Sequence, residues 1–247
     1  MSFDRCCENH VILHKVPAQD TVIPAPCRST GQAPAGIPFS FFEACAKGPA
    51  YNVMTHPAFI LASSSPRRLA LLADIGVVPD IVVAADIVET PQPKEKPRFL
   101  AERLSLQKLQ AVSPEFEEKD AFILAADTVV GVGRRILPKA ETPDDVRKFL
   151  NLMSGRRHHV YTGVALRTPK GKVLHRVSDS TVIFHLLSRE DIDAYAECGE
   201  GIGKAGGYAI QGRAAALIRF ISGSYSGIVG LPLFEVAQML RGAGWRF

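Results

Sequence analysis

The amino-acid sequence predicts an α/β fold built on a mixed sheet, and three observations carry that reading. From residue 58 to residue 247, short apolar runs alternate with amphipathic segments of helical length. Thr168-Pro169-Lys170-Gly171 is a turn signal between two long strand-like stretches, so a β-hairpin, and with it an antiparallel pair, belongs in the sheet. Of the 247 residues, 47% are apolar and 22% charged, enough to bury a sizeable core and too apolar for wholesale disorder.

Taken in order, residues 1–57 come first and read as an irregular extension. They hold 7 of the 17 prolines and four of the five cysteines, and show no sustained helical or strand period. Met54, just ahead of the first convincing strand, reads as a candidate alternative start of translation, in which case residues 1–53 would not be translated. Cys6, Cys7, His10 and His14 are spaced as zinc ligands can be, but no second ligand pair follows at the usual separation. The body at 58–247 is expected to form a single domain. Its first strand is the apolar run 58–62, and a helix over 66–75 follows, opened by Ser65-Pro66 and stopped by Gly76. A strand at 81–85 and a helix at 97–112 come next. The apolar run from Ala121 to Gly133 is interrupted by Asp127, which predicts two strands, 121–126 and 128–132. A helix at 142–153 leads to strands 158–167 and 172–186 on either side of the hairpin turn. A helix at 188–197, a strand at 214–221 and a helix at 232–241 complete the chain.

Several classes of function are excluded. No apolar run approaches the roughly 18 residues that a membrane-spanning helix needs. The net charge of +4 favours anionic ligands but lacks the dense basic tracts of a nucleic-acid binder, and no stable nucleic-acid partner is expected. Only Cys198 lies beyond residue 45, so the body cannot be stapled by its own disulfides, which points to a reducing, cytoplasmic setting.

Three segments carry chemistry. In Leu61-Ala62-Ser63-Ser64-Ser65-Pro66-Arg67-Arg68, hydroxyls, two guanidinium groups and the positive end of a helix dipole meet after a buried strand. The segment reads as an anion site, with phosphate the obvious anion, or as a well-capped helix with two solvated arginines. It lacks the spacing of a P-loop. In Ala125-Ala126-Asp127-Thr128-Val129, a carboxylate at a strand terminus is either a turn-former or a functional acid. Glu89 offers a second carboxylate for a shared divalent metal, and Lys108 and Lys139 offer the positive charge that phosphoryl chemistry requires. Third, Gly203-Lys204-Ala205-Gly206-Gly207-Tyr208-Ala209-Ile210-Gln211-Gly212 lets backbone approach a ligand closely, and Gln211 can read a base edge. His158 and His159 are adjacent on a strand and point to opposite faces, so they form no paired ligand set. Cys198 reads as a half-buried thiol at a helix end.

Taken together, these segments resemble the Maf family of nucleoside triphosphate pyrophosphatases. The resemblance runs from about Phe59 to Leu240. It rests on Ser63-Ser64-Ser65-Pro66-Arg67-Arg68, Ala126-Asp127-Thr128-Val129, Ser154-Gly155-Arg156 with Val160-Tyr161-Thr162-Gly163-Val164-Ala165, Lys204-Ala205-Gly206 and Val229-Gly230-Leu231-Pro232-Leu233. It implies an elongated, mixed sheet flanked by helices, and hydrolysis of a nucleoside triphosphate between the α and β phosphates with a divalent metal, Mg²⁺ or Mn²⁺. By the resemblance Asp127 is the proton acceptor, supported by Lys108 and Lys139. Arg67, Thr128 and Gln211 set base specificity, Ser63, Arg68 and Lys204 bind phosphate, and Glu89 and Asp127 hold the metal. The Lys-Ala-Gly-Gly-Tyr-Ala-Ile-Gln-Gly form of the loop is similar to the branch acting on dTTP and UTP, rather than the branch acting on 7-methyl-GTP. A homodimer is also implied. Val88-Glu89 departs from the acidic pair often seen there, and residues 1–57 have no family counterpart. The competing reading is a nucleotide-sensing regulator of cell division that does not turn its ligand over.

Overall fold

The computed structural model describes residues 57–117 and 120–247. The expected extension, the Cys6–His14 cluster and Met54 lie outside the described residues. The sheet is mixed, as the hairpin signal requires, and it runs β2 (Ile81–Val82), β1 (Ala58–Ala62), β3 (Ala121–Val132), β5 (Arg157–Arg167), β6 (Val173–Phe184), β7 (Ile218–Ser222), with β4 (Arg135–Leu137) paired to β3. β1 is parallel to β2 and β3; the other pairings are antiparallel. The helices are α1 (Pro66–Asp74), α2 (Pro97–Val112), α3 (Pro143–Met153), α4 (Arg189–Glu197), α5 (Tyr225–Val229) and α6 (Leu233–Gly242). Capping boxes start α3 at Thr142 with Asp145 and α4 at Ser188 with Asp191. No helix among the described residues is long and apolar enough to cross a membrane.

Side-chain alternation along β3 divides the core into two layers. Phe122, Leu124 and Ala126 face the larger layer, which includes Leu72, Phe149, Leu150, Tyr195 and Leu240 from α1, α3, α4 and α6. Ala121, Ile123 and Ala125 face the other side and pack with Leu109 and Val112 of α2. Asp127 continues this second row and so projects toward α2.

The structure corrects several expectations. The break expected at Asp127 is absent: β3 is one strand of 12 residues that runs through it, with Asp127 opposite Gly163 of β5. A charge in mid-strand signals a turn only when nothing neutralises it, and here a lysine of α2 does so. The strand expected over 81–85 shortens to two residues. The one expected over 214–221 divides into a 3₁₀ turn, Arg213–Leu217, and β7. β4 and α5 were not expected, being too short to show a period. Ser65 takes the N-cap position of α1 with Pro66 next, but its side chain makes no capping bond.

One gap in pairing positions the site. β1 pairs β3 along 121–125, and β4 pairs the same edge along 130–132. Between them, residues 126–129 of β3 are paired only to β5. The edge is therefore open beyond the carboxyl end of β1, where α/β sheets place ligands.

Candidate active site

A cleft of about 310 Å³ fills that gap. Its wall includes Ser63, Arg67, Arg68, Glu89, Lys108, Asp127, Thr128, Lys139 and Lys204, so nine of the ten site residues expected from sequence come together. Gln211 does not: it is exposed in the turn before Gly212, and its neighbours Tyr208 and Ile210 line the wall instead.

On the α2 side the charges alternate. The Lys108 ammonium meets Asp127 Oδ1 at 2.5 Å and Glu89 Oε1 at 2.7 Å, and Lys139 meets Glu89 Oε2 at 2.8 Å. Sequence reasoning paired Glu89 with Asp127 directly across a metal; in the structure a lysine stands between them. Burial pushes the Asp127 carboxyl above its ordinary value, against the pull of Lys108 and Arg68. That shift suits a base that must take a proton near neutral pH. Partial burial also opposes charge on Glu89, but the two ammonium groups outweigh it and hold the group down at about 2.

The two arginines of α1 are adjacent in the motif and take different roles by the family resemblance, and the structure holds them differently. Arg68 is pinned: its guanidinium donates to the Gly230 carbonyl at 2.9 Å, to Ser63 Oγ at 2.9 Å and to Thr128 Oγ1 at 3.4 Å. Thr162 Oγ1 gives its one proton to the Gly227 carbonyl at 2.8 Å, so Thr128 is the donor in the 3.0 Å bond between the two hydroxyls. Arg68 thus ties the Ser63 loop, β3 and the end of α5 into one wall. Arg67 reaches the cleft with no hydrogen bond or ion pair among the described residues. Burial lowers its proton affinity and that of Lys204, and Arg67 lowers Lys204 further by repulsion.

The glycine-rich wall is fastened to the segment that carries Lys139. Ala140 N–H donates to the Lys204 carbonyl, Gly203 N–H to Ala140 and Gly206 N–H to Pro138. Gly206, at φ 69°, brings the loop so close to Val130 that an added Cβ would lie 2.8 Å from it. Tyr208 anchors the far end through a 2.9 Å bond to His158, whose ring is fully buried on β5. His159 points the other way, to Asp179, as alternation requires. Cys198 is half-buried at the end of α4 and donates to the Tyr195 carbonyl. The Tyr208–His158 anchor was missed from sequence; the histidine doublet was its only signal.

The sequence pattern of the family described as Maf-like protein matches residues 58–243. The chain is 56% identical over 190 residues to the dTTP/UTP pyrophosphatase of Gluconobacter oxydans, covering 75% of this chain and 87% of that one. It is 55% identical over 199 residues to the protein of the same description from Granulibacter bethesdensis, covering 76% and 93%. A relative from Rhodopseudomonas palustris, also described as a dTTP/UTP pyrophosphatase, is 51% identical over 197 residues, covering 78% and 95%.

Proposed function

Because the chain belongs to the family of Maf-like proteins, we propose that it is a nucleoside triphosphate pyrophosphatase that acts on dTTP and UTP, as its relatives' names say of them. The observation that carries the reaction is Asp127: a buried carboxylate of raised proton affinity, on an open sheet edge, facing a wall of cations. Water attacks the α-phosphorus, Asp127 takes its proton, the α–β bridging bond breaks and pyrophosphate leaves. Lys204 and Ser63 bind the phosphates. Arg67, which the resemblance assigns to base specificity, also reaches them because it has no partner among the described residues, while Arg68, assigned to phosphate, is held by Gly230 and Ser63. Lys108 and Lys139 offset charge as it develops. Arg68 shapes the same wall and holds Ser63 and Thr128 in place.

Two carboxylates are a donor set that fits Mg²⁺ or Mn²⁺, which commonly takes one or two protein carboxylates and completes its shell with phosphate and water. Glu89 and Asp127 would hold it in place of the Lys108 ammonium that bridges them, and when bound it would neutralise charge on the phosphates. Thr128 and Arg67 flank the nucleotide. Gln211, exposed and next in the chain to Ile210 of the wall, is the residue that reads the base. The neutral amide of Gln211 suits the O4 and N3–H edge of uracil and thymine.

The test is pyrophosphate release from dTTP, UTP, CTP, GTP and 7-methyl-GTP, with Mg²⁺ or Mn²⁺, by the wild type and Asp127→Asn. Turnover of dTTP and UTP that Asp127→Asn abolishes, with nucleotide binding retained, is the expected result. Binding without turnover by the wild type would make the protein a sensor, and preference for 7-methyl-GTP would place it in the other branch. Wild-type activity in Asp127→Asn would refute the assignment of the base.

A further inference from the structure

Glu89 sits in a stretch, 83–96, with no strand or helix, only a turn at Pro93 and Lys94. A segment of that length does not hold a carboxylate at a fixed distance from two lysines unless something fastens it. The fastening is on α2. Arg103 Nε and Nη2 donate to the two oxygens of Glu95 at 2.8 Å each, and Nη2 also donates to the Thr90 carbonyl at 3.1 Å. Nη1 is fixed by Gln107 one turn along the helix, at 2.9 Å. The same Glu95 carboxylate accepts from the Gln92 amide at 2.8 Å, and Glu95 N–H closes the turn on the Gln92 carbonyl. Lys94 has a φ of 61°, left-handed backbone that a residue other than glycine keeps only when its surroundings impose it. The Arg103 and Glu95 side chains are 20% and 8% exposed, so this fork is shielded from the solvent that makes surface pairs weak.

We propose that Arg103 and Glu95 are positioning residues: their fork clamps residues 90–95 to α2 and so sets where Glu89 stands against Lys108, five residues further along the same helix. The proposal rests on the reading of Glu89 as a functional carboxylate. A bidentate fork that also grips a backbone carbonyl fixes orientation as well as distance, which a lysine at position 103 would not do. Neither residue lines the cleft.

The test is a double-mutant cycle of Arg103→Gln and Glu89→Gln on the full-length chain, measuring kcat and KM for dTTP with Mn²⁺, with folding checked by far-UV circular dichroism. Arg103→Gln is expected to lower kcat about tenfold with KM for dTTP little changed, because the groups that bind phosphate stay in place. In the Glu89→Gln background it is expected to change kcat less than about twofold, since its effect passes through Glu89. Glu95→Gln, nearly isosteric, should reproduce the loss and guards against a folding artefact. Equal losses in both backgrounds, or none in the wild type, would overturn the proposal. A Glu89→Gln protein with wild-type kcat would instead remove the reading on which it rests. Cleavage by trypsin after Lys94 then decides on the clamp itself: Arg103→Gln should be cut about tenfold faster well below its melting temperature, and an unchanged rate would sink the clamp. Lys96 does not interfere, because Pro97 follows it.

Discussion

Gly163→Ala should damage the site without touching it. Gly163 faces Asp127 across the β3–β5 ladder and lies under α2. A Cβ built there would stand 2.2 Å from the Ala101 carbonyl oxygen and 2.8 Å from Ser105 Oγ. The backbone is extended strand, so the glycine is needed for room and not for its conformational freedom. Opening that contact to ordinary van der Waals distance requires α2 to lift by about 1 Å. Overpacking of this kind costs about 1–3 kcal/mol. The same lift carries Lys108 away from Asp127 and Glu89, and a displacement of about 1 Å can cost about 10²-fold in rate. Urea denaturation followed by fluorescence of Trp245 gives the first quantity, and pyrophosphate release from dTTP gives the second. A Gly163→Ala protein of wild-type stability and kcat would refute the reasoning, because α2 could then adjust at no cost and would not be the rigid mount inferred for Lys108 and Arg103.

Other predictions concern the two arginines and the buried histidine. Arg67→Ala should raise KM for dTTP about tenfold and leave the melting temperature alone, since Arg67 has no bond to lose among the described residues. Arg68→Met should do the reverse first, lowering stability by about 2–3 kcal/mol by stranding the Gly230 carbonyl, Ser63 and Thr128; a thermal melt separates the two. Burial, with repulsion from His159, holds His158 at about 4 against 6.5 in a free chain. The unfolded chain therefore binds the extra proton first, and stability is lost as pH falls from about 6.5 to about 4. The loss is about 3 kcal/mol if His158 stays neutral in the folded state. Melting curves of the wild type and His158→Phe across that range should show a steeper acid loss in the wild type; parallel curves would exclude His158 as the cause.

The chain's periodicities showed most of the fold, because buried strands and amphipathic helices bear their own patterns. Helices 97–112 and 189–197 lie within a residue of where their apolar spacing puts them, and Thr168–Gly171 turns as its composition requires. What failed was local evidence outweighed by tertiary partners. Asp127 looked like a break because its neutralising partner, Lys108, is 19 residues away and a one-dimensional pattern cannot show the pairing. For the site, motif order and the family resemblance pointed to ten residues, nine of which line the cleft, and separated Arg67 from Arg68 in role. They did not show that Arg68 is pinned and Arg67 free among the described residues, since adjacent helical positions diverge by about 100° and only the fold says which one meets Gly230. Arg103 and Glu95 were invisible for the same reason: a salt bridge on a helix flank resembles any solvated pair until the loop it grips is seen.

The alternating row of Lys139, Glu89, Lys108 and Asp127 has a kinetic consequence. Two positive and two negative charges cancel at a distance, so an approaching anion feels little from them. The far field of the cleft comes from Arg67, Arg68 and Lys204, which have only neutral hydrogen-bond partners or none among the described residues. Those three charges guide a polyanionic substrate in, and beyond a Debye length of about 8 Å at physiological salt their pull is gone. Encounter should therefore slow with added salt while the chemical step, set by the self-cancelling row, stays nearly indifferent to it. Capture and turnover are in this way run by two sets of charges that share one wall and answer to different properties of the solution.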